Sequence, residues 1–380
     1  MKKKRIDSAV LRRITGFVKK NAVMVIALFA AVITMFFVSP DAAYLGYFDL
    51  RTLALLYCLM TVVAGLREAG AFDRLAFLLC RRAAGVRALG TLLVLLCFFT
   101  SMLITNDVAL LTFVPFSAAV LGLAGRRESL LRVTVLQTAA ANLGSMLTPV
   151  GNPQNLYLYS RYDMALPAFF RATLPLWTAS LLLLLAACLL LPRRELDRGP
   201  SQAPDWDRRG AAVHFALFGL CLLTVLRVLP WYWMLAGVAA ALLVFDRRAL
   251  LRADVPLLFT FAAFFVFSGN LGRIGAVDAL LRRILEGRVY LVALLASQAV
   301  SNVPAALLLS GFTGDAEALL QGVNVGGLGT PVASLASLIS MKLYFRTEGA
   351  RPGRYLLEFT ILNVALLLLL SLVRWALVRI

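Results

Sequence analysis

The sequence predicts an all-α polytopic membrane protein of inverted repeats with re-entrant hairpins and broken helices. Three observations lead there. First, 61% of the 380 residues are apolar, only 15% are charged and the mean hydropathy is +0.84. A soluble domain carries about 25% charged residues and must cover its surface with polar groups. Disordered, collagenous and disulfide-stapled classes fail on the same numbers. Second, the apolar runs are continuous rather than alternating, which argues against a membrane β-barrel. Third, the two halves of the chain interrupt those runs with similar polar blocks in the same order.

Taken in chain order, residues 1–50 form a leading segment. Eight basic residues (Lys2, Lys3, Lys4, Arg5, Arg12, Arg13, Lys19 and Lys20) precede an apolar run over 21–39. The run is too long for a signal peptide and no small-x-small cleavage site follows. It reads as a first membrane helix with a cytoplasmic N-terminus in a multi-pass cell-membrane protein. Residues 51–192 read as a first repeat. A span covers 52–66, and an interfacial stretch with frequent charges follows over 66–80. The apolar stretch 88–124 is broken by Thr105-Asn106-Asp107 and flanked on both sides by arginines, so it enters and leaves on one face as a re-entrant hairpin. The next stretch, 133–160, is interrupted at 142–155 by prolines, glycines and asparagines that disfavour a continuous helix. Open backbone at membrane depth is tolerated only where it is buried in protein or lines a cavity. A span at 166–191 closes the repeat, and the polar segment 193–210 reads as a cytoplasmic linker. Residues 211–380 hold spans at 211–228 and 231–245 and then the second repeat: a span at 255–270, an interfacial stretch at 271–285, breaks at 301–304 and 322–331, and a last span at 355–376.

The net charge of +18 reads mainly as a topology signal, because membrane proteins concentrate Lys and Arg in cytoplasmic loops. No basic stretch is interleaved with aromatics as a nucleic-acid surface requires, so nucleic acid is not an expected partner. Cys58, Cys80, Cys97, Cys188 and Cys221 lie in or beside apolar runs and read as buried hydrophobes. His214 is the single histidine, placed by the sequence at an interface, so a histidine metal site or catalytic triad has no material; the chain is not expected to be an enzyme.

The repeat is the most informative feature. Residues 141–156 align without gaps to 323–338, pairing Asn142 with Asn324, Gly144 with Gly326, Thr148 with Thr330 and Pro149 with Pro331. Residues 66–75 align to 271–280 through Gly70/Gly275 and Asp73/Asp278, and Thr105-Asn106 matches Ser301-Asn302. The first repeat's opening span runs inward and the second's outward, with Arg282, Arg283 and Arg288 left against the positive-inside preference. Inverted repeats with matched broken helices point to a secondary transporter whose site lies near the bilayer midplane.

Helix N-termini inside a membrane favour anions; C-terminal ends and unwound carbonyls favour cations. The candidate site is therefore Thr105, Asn106, Asp107, Asn142, Gly144, Ser145, Thr148, Gly151 and Asn152 from one half, with Ser301, Asn302, Asn324, Gly326, Gly327 and Thr330 from the other. Sodium would be held near Asn106, Asp107 and Asn142, and near Asn302 and Asn324, by neutral oxygens suited to a hard cation. Asp107 is the lone carboxylate of 88–124, where a charge costs roughly 2.5–3.5 kcal/mol. It reads either as a carrier of a cation or proton or as a helix N-cap. No resident cofactor is expected; a sodium ion or a proton would couple transport. The expected partners are a small ion or anion and the lipid bilayer.

At TNDVALLTFVPF (105–116), NLGSMLTPVGNPQN (142–155), SNVPAALLL (301–309) and NVGGLGTP (324–331) the sequence resembles the ion transporter superfamily. That group includes divalent anion/sodium symporters, citrate transporters, arsenite permeases and NhaD-type sodium/proton antiporters. The resemblance implies that Thr105 and Asn106 with the 142–152 loop form one ion site, and that Ser301 and Asn302 with the 324–330 loop form the other. It also implies a homodimer and elevator-type movement of the hairpins. Both tips lack the third hydroxyl of the anion symporters' Ser-Asn-Thr, and Asp107 is closer to the arsenite-permease and antiporter branches. The activity implied is proton- or sodium-coupled transport of a small inorganic or organic anion, with sodium/proton antiport through Asp107 as the alternative.

Overall fold

The computed structural model describes residues 15, 17, 18, 21–81, 83–196 and 203–379. The basic residues of 2–13, Lys19, Lys20, Arg82 and the middle of the 193–210 linker lie outside them. Among the described residues the chain is built of helices, with no strand. Helix α1 (Ala22–Met35) and a 3₁₀ turn (Ala42–Tyr47) lead into a first set of seven helices. These are α2 (Leu50–Glu68), α3 (Ala71–Cys80), α4 (Val86–Ile104), α5 (Asn106–Leu123), α6 (Leu130–Gly144), α7 (Pro153–Arg161) and α8 (Leu166–Cys188). Helices α9 (Arg208–Val225) and α10 (Trp231–Phe245) intervene. A second set of seven follows in the same order: α11 (Val255–Arg273), α12 (Gly275–Leu285), α13 (Val289–Val300), α14 (Asn302–Leu309), α15 (Ala316–Val325), α16 (Leu335–Phe345) and α17 (Pro352–Arg379). Seven of the described helices (α2, α4, α5, α8, α9, α11 and α17) are long and apolar enough to cross a membrane.

The two sets run in opposite directions. Helix α2 ends at the linker, where the Asp207 amide donates to the Ala69 carbonyl (2.9 Å). Helix α11 starts at that same end, where Arg252 pairs with Glu68 and with Asp246 (2.6 Å). It finishes at the other end, where Arg273 clamps Asp41 with two hydrogen bonds (3.0 and 2.6 Å) and holds that carboxyl below the usual carboxylate range. The hairpins are inverted likewise. The base of α4–α5 docks on the linker segment through Val86 N to Arg194 O (2.8 Å). The base of α13–α14 docks at the opposite end, where the Tyr162 hydroxyl donates to the Ser310 and Thr313 carbonyls (3.2 and 3.0 Å). Arg282, on the amphipathic α12 at that second end, is neutralised locally by Asp278 one turn earlier (2.9 Å).

His214 departs from its interfacial expectation. Its ring is buried against Gly65 of α2, and Nδ1 lies 2.9 Å from the Gly210 carbonyl. The close helix crossing that glycine permits draws the ring inward. Tyr232 and Trp233 remain exposed, as belt aromatics should.

Both hairpins turn on a residue with a rare backbone. Thr105 has φ 70° and ψ 151°, and its counterpart Ser301 has φ 74° and ψ 154°. This region is nearly confined to glycine, and a side chain there costs about 1–3 kcal/mol. The same strain at two matched positions is a property of the hairpin geometry. Thr105→Gly should raise the melting temperature of the purified protein, because relieved strain of about 1–3 kcal/mol outweighs the roughly 0.5–1 kcal/mol of added unfolded-state entropy; Ser301→Gly should gain less, since it also gives up the Ser301 Oγ–Ala333 O hydrogen bond, worth about 0.5–1.5 kcal/mol. A fall in melting temperature for Thr105→Gly would remove the strain assignment.

Candidate functional site

Four helix N-termini meet at the centre of the molecule. A cavity of about 10 Å³, room for one water, is lined by the first residues of α5 (Asn106, Asp107), α7 (Pro153, Gln154) and α14 (Asn302, Val303). Ser334 and Leu335 at the start of α16 and Leu257 of α11 complete it. The sequence puts helix starts here for local reasons. Pro153 occupies the first position of α7, where its missing N–H is no loss, and the Asn152 side chain caps the same helix by accepting from Asn155 N (2.9 Å). At both tips the asparagine side-chain oxygen accepts from the next backbone amide: Asn106 from Asp107 (3.0 Å) and Asn302 from Val303 (2.9 Å).

Around the cavity the repeats exchange partners. Asn142 Oδ1 accepts from Asn106 Nδ2 (3.0 Å) and, from the other repeat, Ser334 Oγ (2.9 Å); its Nδ2 donates to Ser337 Oγ (3.2 Å). Asn324 answers from the opposite side. Its Oδ1 accepts from Asn152 Nδ2 (3.2 Å), and its Nδ2 donates to Asn155 Oδ1 (2.7 Å). In the alignment Asn152 matches Ser334 and Asn155 matches Ser337, so these four side-chain bonds between the repeats are two-fold symmetric. The Asn106–Asn142 bond joins tip and loop within one repeat, and in addition the asparagine of each half is held by the unwound segment of the other. Asn155, Ser334, Ser337 and Gln154 were missed by sequence reasoning. The available signal was a short polar residue at each member of the first two matched pairs.

The remaining predicted residues divide. Gly151 supplies its carbonyl to the Asn106 amide (3.3 Å), and Gly327 supplies its carbonyl to Asn142 Nδ2 (3.4 Å). Ser145 accepts from Asn152 Nδ2 (3.1 Å) and donates to its own helix at Asn142 O. Ser301 Oγ donates to Ala333 O (3.3 Å). Thr148 and Thr330 instead tie each unwound segment to its hairpin, donating to the Met102 and Gln298 carbonyls at matched positions. Gly144 and Gly326 are packing glycines. A Cβ on Gly144 would lie 1.9 Å from the Phe98 carbonyl oxygen, a backbone atom that cannot swing away. Gly144→Ala should therefore destabilise the protein by about 3 kcal/mol, the upper range of overpacking, read as a lower melting temperature; Gly46→Ala, in open space, is the control.

Asp107 is partly exposed and lies in the first turn of α5. The N-cap position belongs to Thr105, whose side chain makes no cap hydrogen bond, so Asp107 is not a capping residue. None of the described hydrogen bonds or ion pairs engages its carboxylate. Gln154 is 1% exposed, and its buried Nε2 has no hydrogen-bond partner. No lysine or arginine lines the cavity. Its field comes from the helix ends, about +0.5 charge each and about +2 in all, against Asp107 in the lining and Asp254, the N-cap of α11, which acts on Asp107.

Comparison with known proteins fits this architecture. The family model for citrate transporters matches residues 10–325. The chain belongs to the citrate transporter family. It is 32% identical over 334 residues to the inner membrane protein YbiR of Escherichia coli strain K12, covering 87% of each chain. It is 29% identical over 323 residues to the uncharacterized transporter MJ0456 of Methanocaldococcus jannaschii, covering 84% of this chain and 88% of that one. A shorter match, 35% over 182 residues, covers 47% of this chain and 36% of the silicon efflux transporter LSI3 of Oryza sativa subsp. japonica. The protein is a multi-pass membrane transporter, not an enzyme.

Proposed function

We propose that the protein is a secondary active transporter of a small oxyanion, working by alternating access and coupled to protons through Asp107. The observation that carries this reading is the convergence of four helix N-termini on one small cavity that holds a single carboxylate. The partial positive charge of these helix ends offsets the ionised Asp107 and favours an anion over a cation there. The unpaired Gln154 amide offers a donor to an oxygen-rich ligand. Sodium/proton antiport is less favoured, because helix N-termini repel a cation. The oxygens a sodium ion would need also have other work: Asn142 Oδ1 and Asn324 Oδ1 already accept from neighbouring side chains. The linker end, rich in arginine, reads as cytoplasmic, and a homodimer is the assembly that the family resemblance implies. Reconstituted protein should accumulate phosphate or arsenate under a pH gradient; accumulation of citrate and of neither of these would overturn the small-oxyanion reading. Flux that answers only to a sodium gradient would move the coupling to sodium, and no flux under either gradient would overturn the reading.

A further inference from the structure

Two large cavities sit at opposite ends of α2, and the repeat relates them. One, of about 590 Å³, is lined near the linker by Ala64, Arg67, Glu68, Asp73, Pro115 and Arg252, among others. The other, of about 540 Å³, lies at the far end, where Gly269, Gly272 and Gly311 stand at the positions matched to Ala64, Arg67 and Pro115. The register is the one that pairs Gly70 with Gly275 and Thr105 with Ser301. The cavities are thus counterparts, one for each face, and their differences mark side-specific chemistry. Near the linker two arginines face two carboxylates, and Arg252 is already paired with Glu68 and Asp246. At the far end Arg51 and Arg161 face Asp49 alone. That carboxylate is committed to capping α2, accepting from Thr52 N (3.0 Å) and Thr52 Oγ1 (2.5 Å). Neither arginine has a basic counterpart in the other repeat: Arg51 matches Pro256 and Arg161 matches Leu343.

This far cavity continues toward the central one. Gln154 and Tyr157 are one turn apart on α7; the first lines the central cavity and the second the far one. Leu257, Phe261 and Phe265 follow one face of α11 between the same two cavities. Tyr157, Phe261 and Phe265 close the way between them as an aromatic cluster, with ring centroids 5.6–6.2 Å apart. The geometry points to the far cavity as a recruitment site for small oxyanions, centred on Arg161 and Arg51, which concentrates the ligand outside an aromatic plug. This use of the site rests on the oxyanion reading above; its charge preference does not.

The test reads that preference without transport. Gly272→Cys places a thiol in the cavity where a Cβ meets nothing within 4 Å, and the five native cysteines are buried. Purified protein is labelled with a sulfonate-bearing and a trimethylammonium-bearing methanethiosulfonate. The ratio of anionic to cationic labelling rates should fall about fivefold in Gly272→Cys/Arg161→Gln, the scale of one charge acting through several ångströms of water. It should be restored by Arg161→Lys and weakened by salt. Orthophosphate should slow the anionic reagent in the parent and not in Arg161→Gln. An unchanged ratio in Arg161→Gln, or no effect of orthophosphate, overturns the site. Either result leaves the Asp107 reading standing, since that reading is judged by flux.

Discussion

Replacing Asp107 with asparagine is expected to reduce pH-gradient-driven flux to liposome background while the protein stays folded. Asparagine keeps the shape and the neutral oxygen, so the change removes only the charge and the titratable proton. The stability effect should be small. Asp107 makes no cap and enters no ion pair among the described residues, so the loss is the helix-end interaction, about 0.3–1 kcal/mol. Structure and function therefore separate in one variant. If Asp107 carries the coupling proton, Asp107→Asn loses accumulation yet keeps passive exchange of labelled substrate, because exchange needs the site but no net proton movement. A variant with wild-type pH dependence would show that the carboxylate is not the coupling group. A misfolded variant would contradict the structure instead, and size-exclusion profile and melting temperature tell that case apart.

The fold was legible because its interruptions are chemically loud. Gly, Pro and Asn inside apolar runs mark helix breaks at any depth, and their repetition at 142–149 and 324–331 exposed the duplication. Arginine flanks marked the first hairpin, the repeat marked the second, and the broken 105–107 and 301–304 segments gave their tips. The partner exchange was not legible. It depends on two chain segments almost 200 residues apart crossing at one point, and the residues that accept the crossing, Ser334 and Ser337, differ in type from Asn152 and Asn155. Identity-based matching passed over them although all four are short hydrogen-bonding side chains. The strain at Thr105 and Ser301 was hidden for another reason: a threonine or serine at a helix start normally signals a relaxed cap, and here neither side chain caps its helix. A carboxylate at position 107 is compatible with capping on sequence alone, and only the placement of Thr105 at the N-cap removes that option.

The largest stability effect should come from Asn142→Ala. The side chain accepts from Asn106 and Ser334 and donates to Ser337 and the Gly327 carbonyl, all but one of its partners at 3.2 Å or less. Truncation strands several buried groups at once. Each costs about 1–3 kcal/mol if left unpaired, and partial re-pairing should bring the total to roughly 3–5 kcal/mol. Asn324→Ala should cost a similar amount, since it strands Asn152 and Asn155 in the mirrored arrangement. The cross-repeat character can be isolated by a double-mutant cycle of Asn142→Ala with Ser334→Ala. Residues sharing one buried network couple by about 0.5–3 kcal/mol, so the two losses, measured as unfolding free energies in detergent, should fall short of additivity by that amount. Additive losses would mean that the two repeats are joined by packing alone. Coupled losses would mean that any movement of one hairpin relative to the other's unwound segment must first break these hydrogen bonds, which makes the same asparagines a barrier to conformational exchange as well as a source of stability.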